Sequence, residues 1–488
     1  MNLRPRNGMT LIEMLVATAA TLLLMAAIVQ VFGAFGAAIT NSRAILETDA
    51  RMRAVAWKLR TDLGGVTSKL VPPAPHDCGD GYFEIIEGPR NDLTEAISGT
   101  AVTAKSIVTA TDCDDVLLFT TRSTEPPFVG RAPTGGSTAA FQIDTFESTV
   151  AEVGWFARMT PGTTDPVTYT LYRRQLLVMG YVGTDPFWNT YGSNSYNSIS
   201  LAAAPFSTAS KKFDTFFNLP CDVSVRREAN AAEDRFFPNS LADLVRRESR
   251  FMHNVSGAVA AVNFPFRFVD HQAASLSGTT EVLPPALDGL IFDSTSPRFG
   301  EDAVLTNVLA FDVRVFDPAA PVSVTGSTPL VPGDSGFVGP AVASGGYVDL
   351  QYGVTNTILL ASQIYTHFSG QGDAQSKLQA SLPANGGRCT YDSWSTHYEA
   401  NGKDEDLDGA IDDGTDGQDN DGDGTIDEPA YDANGNGSYA DPGDDPGEFE
   451  TRPPYPYPLR GIEVRIRCYE PSSRQVRQVT IRHTFVPH

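Results

Sequence analysis

The chain has 488 residues, of which 41% are hydrophobic and 10% aromatic, enough for one large or two ordinary hydrophobic cores. A formal net charge of −23 excludes nucleic-acid binding by bulk electrostatics. The five cysteines (Cys78, Cys113, Cys221, Cys389 and Cys468) form no C-x-x-C pair, which argues against a zinc ribbon or a thioredoxin-like redox site.

The first element is a short basic leader, MNLRPRNG, followed by an apolar run from Met9 to Ile39 that has neither Pro nor Lys nor Arg. About 20 apolar residues cross a bilayer core as a helix, so this run can span. Arg4 and Arg6 precede it, and no basic residue follows until Arg43. That bias keeps the N-terminus in the cytoplasm and exports the bulk of the chain. A secretory signal would have a shorter apolar region with a small-residue cleavage site behind it. Here the small residue, Gly8, stands before the run, so cutting there keeps the helix in the mature chain. Glu13 is the only charge in the run. A carboxylate in an apolar helix costs a few kcal/mol on insertion scales and asks for a function.

Gly8, Met9 and Glu13 lie in G-M-T-L-I-E, which resembles the G-F-T-L-I-E of type IV prepilin leaders. The resemblance implies cleavage between Gly8 and Met9 by prepilin peptidase and methylation of the Met9 amine. It also implies that Glu13 pairs with the N-terminal amine of a neighbouring subunit, which offsets desolvation of both charges and sets axial register. A plain uncleaved membrane anchor accounts for the apolar run but not for Gly8 or Glu13.

Residues 40–65 continue the helix. Met52, Val55, Ala56, Leu59 and Leu63 recur at three- and four-residue steps, making one apolar stripe, and Gly64 and Gly65 supply a stop. A first half apolar all round suits a membrane or filament core, and an amphipathic second half suits a globular head.

From about residue 80 to 360 short β-branched and aromatic runs predominate: VLLFTTR (116–122), EVGWFARM (152–159), YTLYRRQLLV (169–178) and VLAFDVRVF (308–316). GIEVRIRCYE (461–470) and QVTIRHTF (478–485) repeat the pattern near the end, and all read as antiparallel strands. Ser240 is expected to cap a helix over 240–252 with Leu241, Leu244, Val245 and Met252 on one face and Asp243 completing the cap. Residues 180–215 and 317–346, rich in Gly, Ser, Thr, Pro and Ala, read as surface excursions. Trp155 and Phe156 are expected in the core. Arg173 and Arg174 are expected to give one solvated side chain and one salt bridge. In an oxidising compartment Cys78 with Cys113 is the first candidate disulfide, and the odd count leaves one thiol over.

Between Asp404 and Glu450 lie 18 acidic residues and no Lys or Arg, which leaves −5 for the rest of the chain. The pattern D-x-D-x-D-G occurs at Asp404, Asp406 and Asp408, and again at Asp419, Asp421 and Asp423; D-x-N-x-N-G follows at Asp432, Asn434 and Asn436. Alternating oxygen ligands on a tightly turning loop, with Gly at the sixth position, are what calcium requires, and Asp412 and Asp427 hold the ninth position. The repeats resemble EF-hand, dockerin and thrombospondin type 3 loops. They lack the bidentate Glu at position twelve, where Thr415, Ala430 and Gly443 stand, so affinity in the ~10⁻⁴–10⁻³ M range of extracellular modules is expected.

The order DDVLLFTTRS, EVGWFARM, LYRRQLLV, NSLADLVRRESRF and LRGIEVRIRCYEP looks like the PilW-type minor pilins and the J-type minor pseudopilins of type II secretion. The expected fold is α+β: a leader (1–8), a transmembrane or filament-core helix (9–39), its amphipathic continuation (40–65), a β-rich head (66–395), an acidic calcium insert (396–452) and closing strands (453–488). The expected role is a non-enzymatic subunit that primes or caps a type IV pilus or secretion pseudopilus. Its partners would be other pilins through the N-terminal helix, prepilin peptidase, and the inner membrane before assembly. A calcium-dependent tip adhesin is the alternative. GDSG at 333–336 resembles a serine-protease nucleophile loop, and a membrane-anchored hydrolase using it with His253 or His271 is a remote alternative; a turn is the better reading.

Overall fold

Thr10 opens a single helix, α1 (Leu11–Gly64), with a reciprocal cap. In this computed structural model the described residues are 10–71, 78–86, 113, 115–123, 125–137, 140–160, 168–180, 221–230, 233–245, 249–251, 298, 300–325, 328–332, 334, 337, 341–350, 390–393 and 458–486. At about 1.5 Å per residue, α1 is about 80 Å long. The helix ends where expected: Gly65 caps it with N–H bonds to Asp62 and Leu63 carbonyls. A side chain at Gly65 would drive into the carbonyl oxygen of Arg122, and the Arg122 N–H donates to the Gly65 carbonyl at 2.7 Å. That close approach fixes the helix end against the strand carrying Arg122.

Among the described residues fourteen strands follow: β1 (Phe83–Ile86), β2 (Val116–Arg122), β3 (Phe128–Ser137), β4 (Ala140–Ser148), β5 (Val150–Met159), β6 (Tyr169–Leu177), β7 (Val225–Asn230) and β8 (Glu233–Pro238). Beyond them come β9 (Ala303–Thr325), β10 (Thr328–Leu330), β11 (Ala343–Val348), β12 (Thr390–Asp392), β13 (Gly461–Glu470) and β14 (Gln475–Thr484). Ten of them build one antiparallel sheet in the order β12-β1-β2-β5-β6-β9-β13-β14, with β10 and β11 paired to β9. β3–β4 and β7–β8 are separate hairpins. The fold is therefore α+β, an N-terminal apolar helix with a large antiparallel sheet. The C-terminal hairpin belongs to the same sheet as the head, because β13 pairs with β9 from Ile462↔Val315 to Cys468↔Val308.

Strand alternation divides the core into two faces. Leu117, Phe119, Trp155, Phe311, Val313, Val464, Ile466 and Ile481 form one cluster with α1 residues Met52, Val55, Ala56, Leu59 and Leu63. Val116, Leu118, Phe156, Tyr172 and Leu176 form the other with Tyr82, Leu244 and Phe251. Trp155 and Phe156 are both core residues, on opposite faces. The stripe on α1 is the one expected from spacing. Burying its four largest members is worth about 6–12 kcal/mol in all, at about 1.5–3 kcal/mol each.

Three sequence expectations need correction. Where a helix over 240–252 is expected, the described residues hold a one-turn 3-10 helix, Asp243–Val245, and 246–248 and 252 lie outside the described residues. Ser240 and Asp243 do cap it reciprocally, the Ser240 N–H donating to Asp243 Oδ2 at 2.7 Å and the Asp243 N–H to Ser240 Oγ at 3.2 Å. The chain then turns Arg250 inward to zero exposed side chain, which a continuous surface helix would not do. Residues 317–346 are not one excursion, since β9 runs on through Pro318 and Pro321 to Thr325 and carries β10 and β11 as partners. A register shift between Ser344 and Gly346 accommodates the irregular stretch. Cys78 and Cys113 are not joined as a disulfide. The stretch 180–215, apart from Gly180, lies outside the described residues.

Candidate assembly site

The first half of α1 touches nothing else among the described residues. Leu11, Leu23 and Phe32 are 82%, 73% and 72% exposed, and no residue of the most apolar 18-residue window is buried. The helix is long and apolar enough to cross a membrane. At its start the Thr10 N–H and hydroxyl both donate to Glu13 Oε2, at 2.8 and 3.0 Å, while the Glu13 N–H donates to Thr10 Oγ1 at 3.3 Å. Glu13 thus closes a capping box, a role its spacing from Thr10 could have disclosed. Gly8 and Met9 lie outside the described residues.

The second half of α1 is held by a buried latch. Asp62 is a charged residue inside the apolar stripe, one position before Leu63, and its side chain is 1% exposed. Arg173 reaches it with Nε donating to Oδ2 at 2.6 Å and Nη2 to Oδ1 at 2.9 Å, and Trp155 Nε1 adds a third donor at 3.1 Å. The Thr121 hydroxyl donates to the Asp62 carbonyl at 2.7 Å. One carboxylate therefore ties α1 to β5 and β6, with β2 secured through its backbone. Beside it, burial and the charge of Arg173 depress the Lys58 ammonium pKa, partly countered by Asp62. Farther up the helix the Thr48 hydroxyl donates to Glu470 at 2.7 Å, and Asp49 lies 3.9 Å from Arg477.

Arg174, pointing from the opposite face of β6, is also buried and also ion-paired. It meets Asp222 at 2.8 Å and Asp302 at 3.3 Å, and Arg298 meets Asp222 at 2.6 Å. The expectation of one solvated and one paired arginine is wrong, because both faces of β6 are covered. Burial raises the Asp222 carboxyl, but the fields of Arg174 and Arg298 outweigh it and hold the group below the usual range.

Behind the sheet, Glu152 accepts from the Tyr82 hydroxyl at 2.7 Å, the Ser224 hydroxyl at 2.5 Å and the Phe251 N–H at 2.7 Å. Burial nonetheless keeps its pKa above the carboxylate norm, against those bonds and the field of Arg250. Arg250 lies 4.2 Å over the Tyr82 ring and pairs with Asp392 at 2.9 Å and Glu84 at 3.4 Å. Its Nε and Nη2 donate to the Leu244 and Val245 carbonyls at 3.0 and 2.8 Å.

The GDSG stretch contributes Asp334 to the outer face of the sheet. Its Oδ2 accepts from the Val331 N–H at 3.0 Å, and its Oδ1 meets Arg314 at 3.0 Å and Arg465 at 3.2 Å. Both oxygens serve the turn and the sheet. Ser335, His253 and His271 lie outside the described residues. Cys221 and Cys468 are buried thiols that burial pushes up to about 12 and about 11, too high for a thiolate nucleophile at neutral pH.

The calcium-ligand candidates from Asp404 to Asn436 all lie outside the described residues, and among the described residues no cluster of His, Cys, Asp or Glu could hold a metal. The segment's flanks are described. The Ser68 hydroxyl donates to Ser393 Oγ at 2.9 Å, and the Leu459 N–H donates to the Leu70 carbonyl at 3.1 Å. Ser393 and Leu459 are therefore held close together, on residues four to six positions past the end of α1. No family model, curated protein or solved structure matches this chain.

Proposed function

We propose that this protein is a minor pilin or pseudopilin, a non-enzymatic subunit whose α1 is inserted among the helices of like subunits and whose head primes or caps the filament. The observation that carries the reading is the division of one unbroken helix. Its first half exposes leucine, valine, methionine and phenylalanine on every side, and its second half is fastened to the sheet by an apolar stripe and the Asp62 latch. Leucine and valine exposed on every side require a lipid or a bundle of similar helices around them. Gly8 before the run and Glu13 within it add the processing and registry marks of the type IV pilin superfamily. Prepilin peptidase would cut after Gly8 and methylate Met9, and the inner membrane would hold α1 until assembly. Glu13 would exchange its Thr10 bonds for the amine of a neighbour.

The acidic insert binds structural calcium in this reading, through the Asp404, Asp419 and Asp432 repeats. The described residues on either side of it, Ser393 and Leu459, are held on Ser68 and Leu70. Substitution of Glu13 by Val tests the assembly role. The variant is expected to insert in the membrane with the head folded and to be missing from sheared filaments. Unchanged incorporation would remove the registry role. An anchored enzyme would keep its activity in that variant and lose it on Ser335→Ala.

A further inference from the structure

We propose that β14 is the edge on which a neighbouring subunit adds a strand, so that the sheet continues from one head into the next; this rests on the filament reading above. β14 ends the sheet, and among the described residues its one strand partner is β13. The pairing runs without a register shift from Gly461↔Thr484 to Glu470↔Gln475. The Phe485 N–H donates to the Arg460 carbonyl at 2.9 Å. In an antiparallel ladder that bond sets the phase. The odd-numbered residues turn their backbone groups to β13, and Val476, Gln478, Thr480, Arg482 and Thr484 turn theirs outward. All five are exposed.

An edge of ten residues is a template for another strand, and natural sheets blunt such edges with proline, lysine, bulges or a covering element. β14 has no Pro, no Lys and no bulge. The one exposed charge among its outward residues, Arg482, is laid back onto Glu463 at 2.5 Å. Its position selects the partner. Of the strands in the sheet, β14 makes the most extensive contact with α1, through the stripe facing Ile481 and through Asp49 and Arg477. A subunit brought alongside through the helices therefore meets this edge. Residues 471–488 carry Arg474, Arg477 and Arg482 and no acidic residue. Like charges disfavour a second copy of the same edge, so the occupant is a different subunit's strand bearing Asp or Glu.

Residue-resolved hydrogen exchange on the full chain, in detergent and in isolated filaments, tests this. The amides of Gln478, Thr480 and Arg482 are expected to slow about tenfold or more on assembly, while those of Val479 and Ile481 are slow in both states. Thr480→Pro removes an outward N–H without breaking a bond to β13, and edge prolines are tolerated. That variant should stay folded in detergent and be lost from filaments. Outward amides that exchange equally fast in both states, or normal incorporation of Thr480→Pro, would overturn the edge while leaving the filament reading intact. Pairing of β14 with β14 of a second copy would overturn the choice of partner. Absence of the wild-type chain from filaments would overturn both proposals.

Discussion

Removing the Asp62 carboxylate is the sharpest test of how the helix is joined to the head. Asp62→Ala leaves the Arg173 guanidinium buried beside Lys58 with no counter-ion, and leaves the Trp155 indole N–H without its acceptor. Breaking a buried ion pair from one side costs about 3–5 kcal/mol. The orphaned indole adds about 1–3 kcal/mol. These shared losses do not add fully, so a total of about 4–6 kcal/mol is expected. Arg173→Met alone leaves the carboxylate with one remaining side-chain donor and should lose about 3 kcal/mol or more. The double variant Asp62→Leu with Arg173→Met removes both charges at similar volume and should recover most of the loss, because the desolvation of both ions disappears with them. Denaturant unfolding of the full chain in detergent, read by tryptophan fluorescence and by far-UV circular dichroism, closes the cycle. If either single variant costs under about 1 kcal/mol, or if the losses are additive in the double variant, the latch does not hold α1 as described.

Glu152→Gln should leave the thermal midpoint at pH 8 unchanged or higher, since it removes a desolvated charge and keeps an acceptor for Tyr82 and Phe251; Glu152→Ala should lower it by several degrees, and equal loss in both would contradict the burial argument. Acid works in the opposite sense at Asp222. Its folded-state pKa is depressed, so its stabilisation is complete above the unfolded value of about 3.9 and is lost as pH falls through the folded value. Asp222→Asn should flatten the loss of stability below about pH 4, and an unaltered profile would refute the assignment. Replacing 396–452 by a short Gly/Ser linker should leave the head folded and abolish any calcium-dependent protection from protease, because Ser393 and Leu459 are anchored on neighbouring residues. A head that fails to fold without the insert would show it to be part of the core.

Periodic elements were legible. The α1 stripe from Met52 to Leu63 follows helical spacing, and β2 and β13 fall on the residues expected, because alternation and β-branching act locally. The latch was not legible, because Asp62 and Arg173 are 111 residues apart and a charged residue in an apolar stripe does not name its partner. The double arginine is opaque for the same reason: alternation puts the two side chains on opposite faces, and nothing local says that both faces of β6 are covered. Pro318 and Pro321 suggest a loop after Phe316, but pairing with β11 carries β9 past them. At 240–252 the apolar spacing is real, but Leu244 and Val245 are buried from a 3-10 turn, Phe251 joins Leu244 in the same cluster from beyond it, and Arg250 reaches back to Asp392.

Intact-mass analysis of the chain isolated from its native envelope tests the central claim most directly. The account predicts a polypeptide that begins at Met9, lacks the eight residues of MNLRPRNG and carries one N-terminal methyl group. A mass that includes those eight residues, with an unmodified amine, would contradict it.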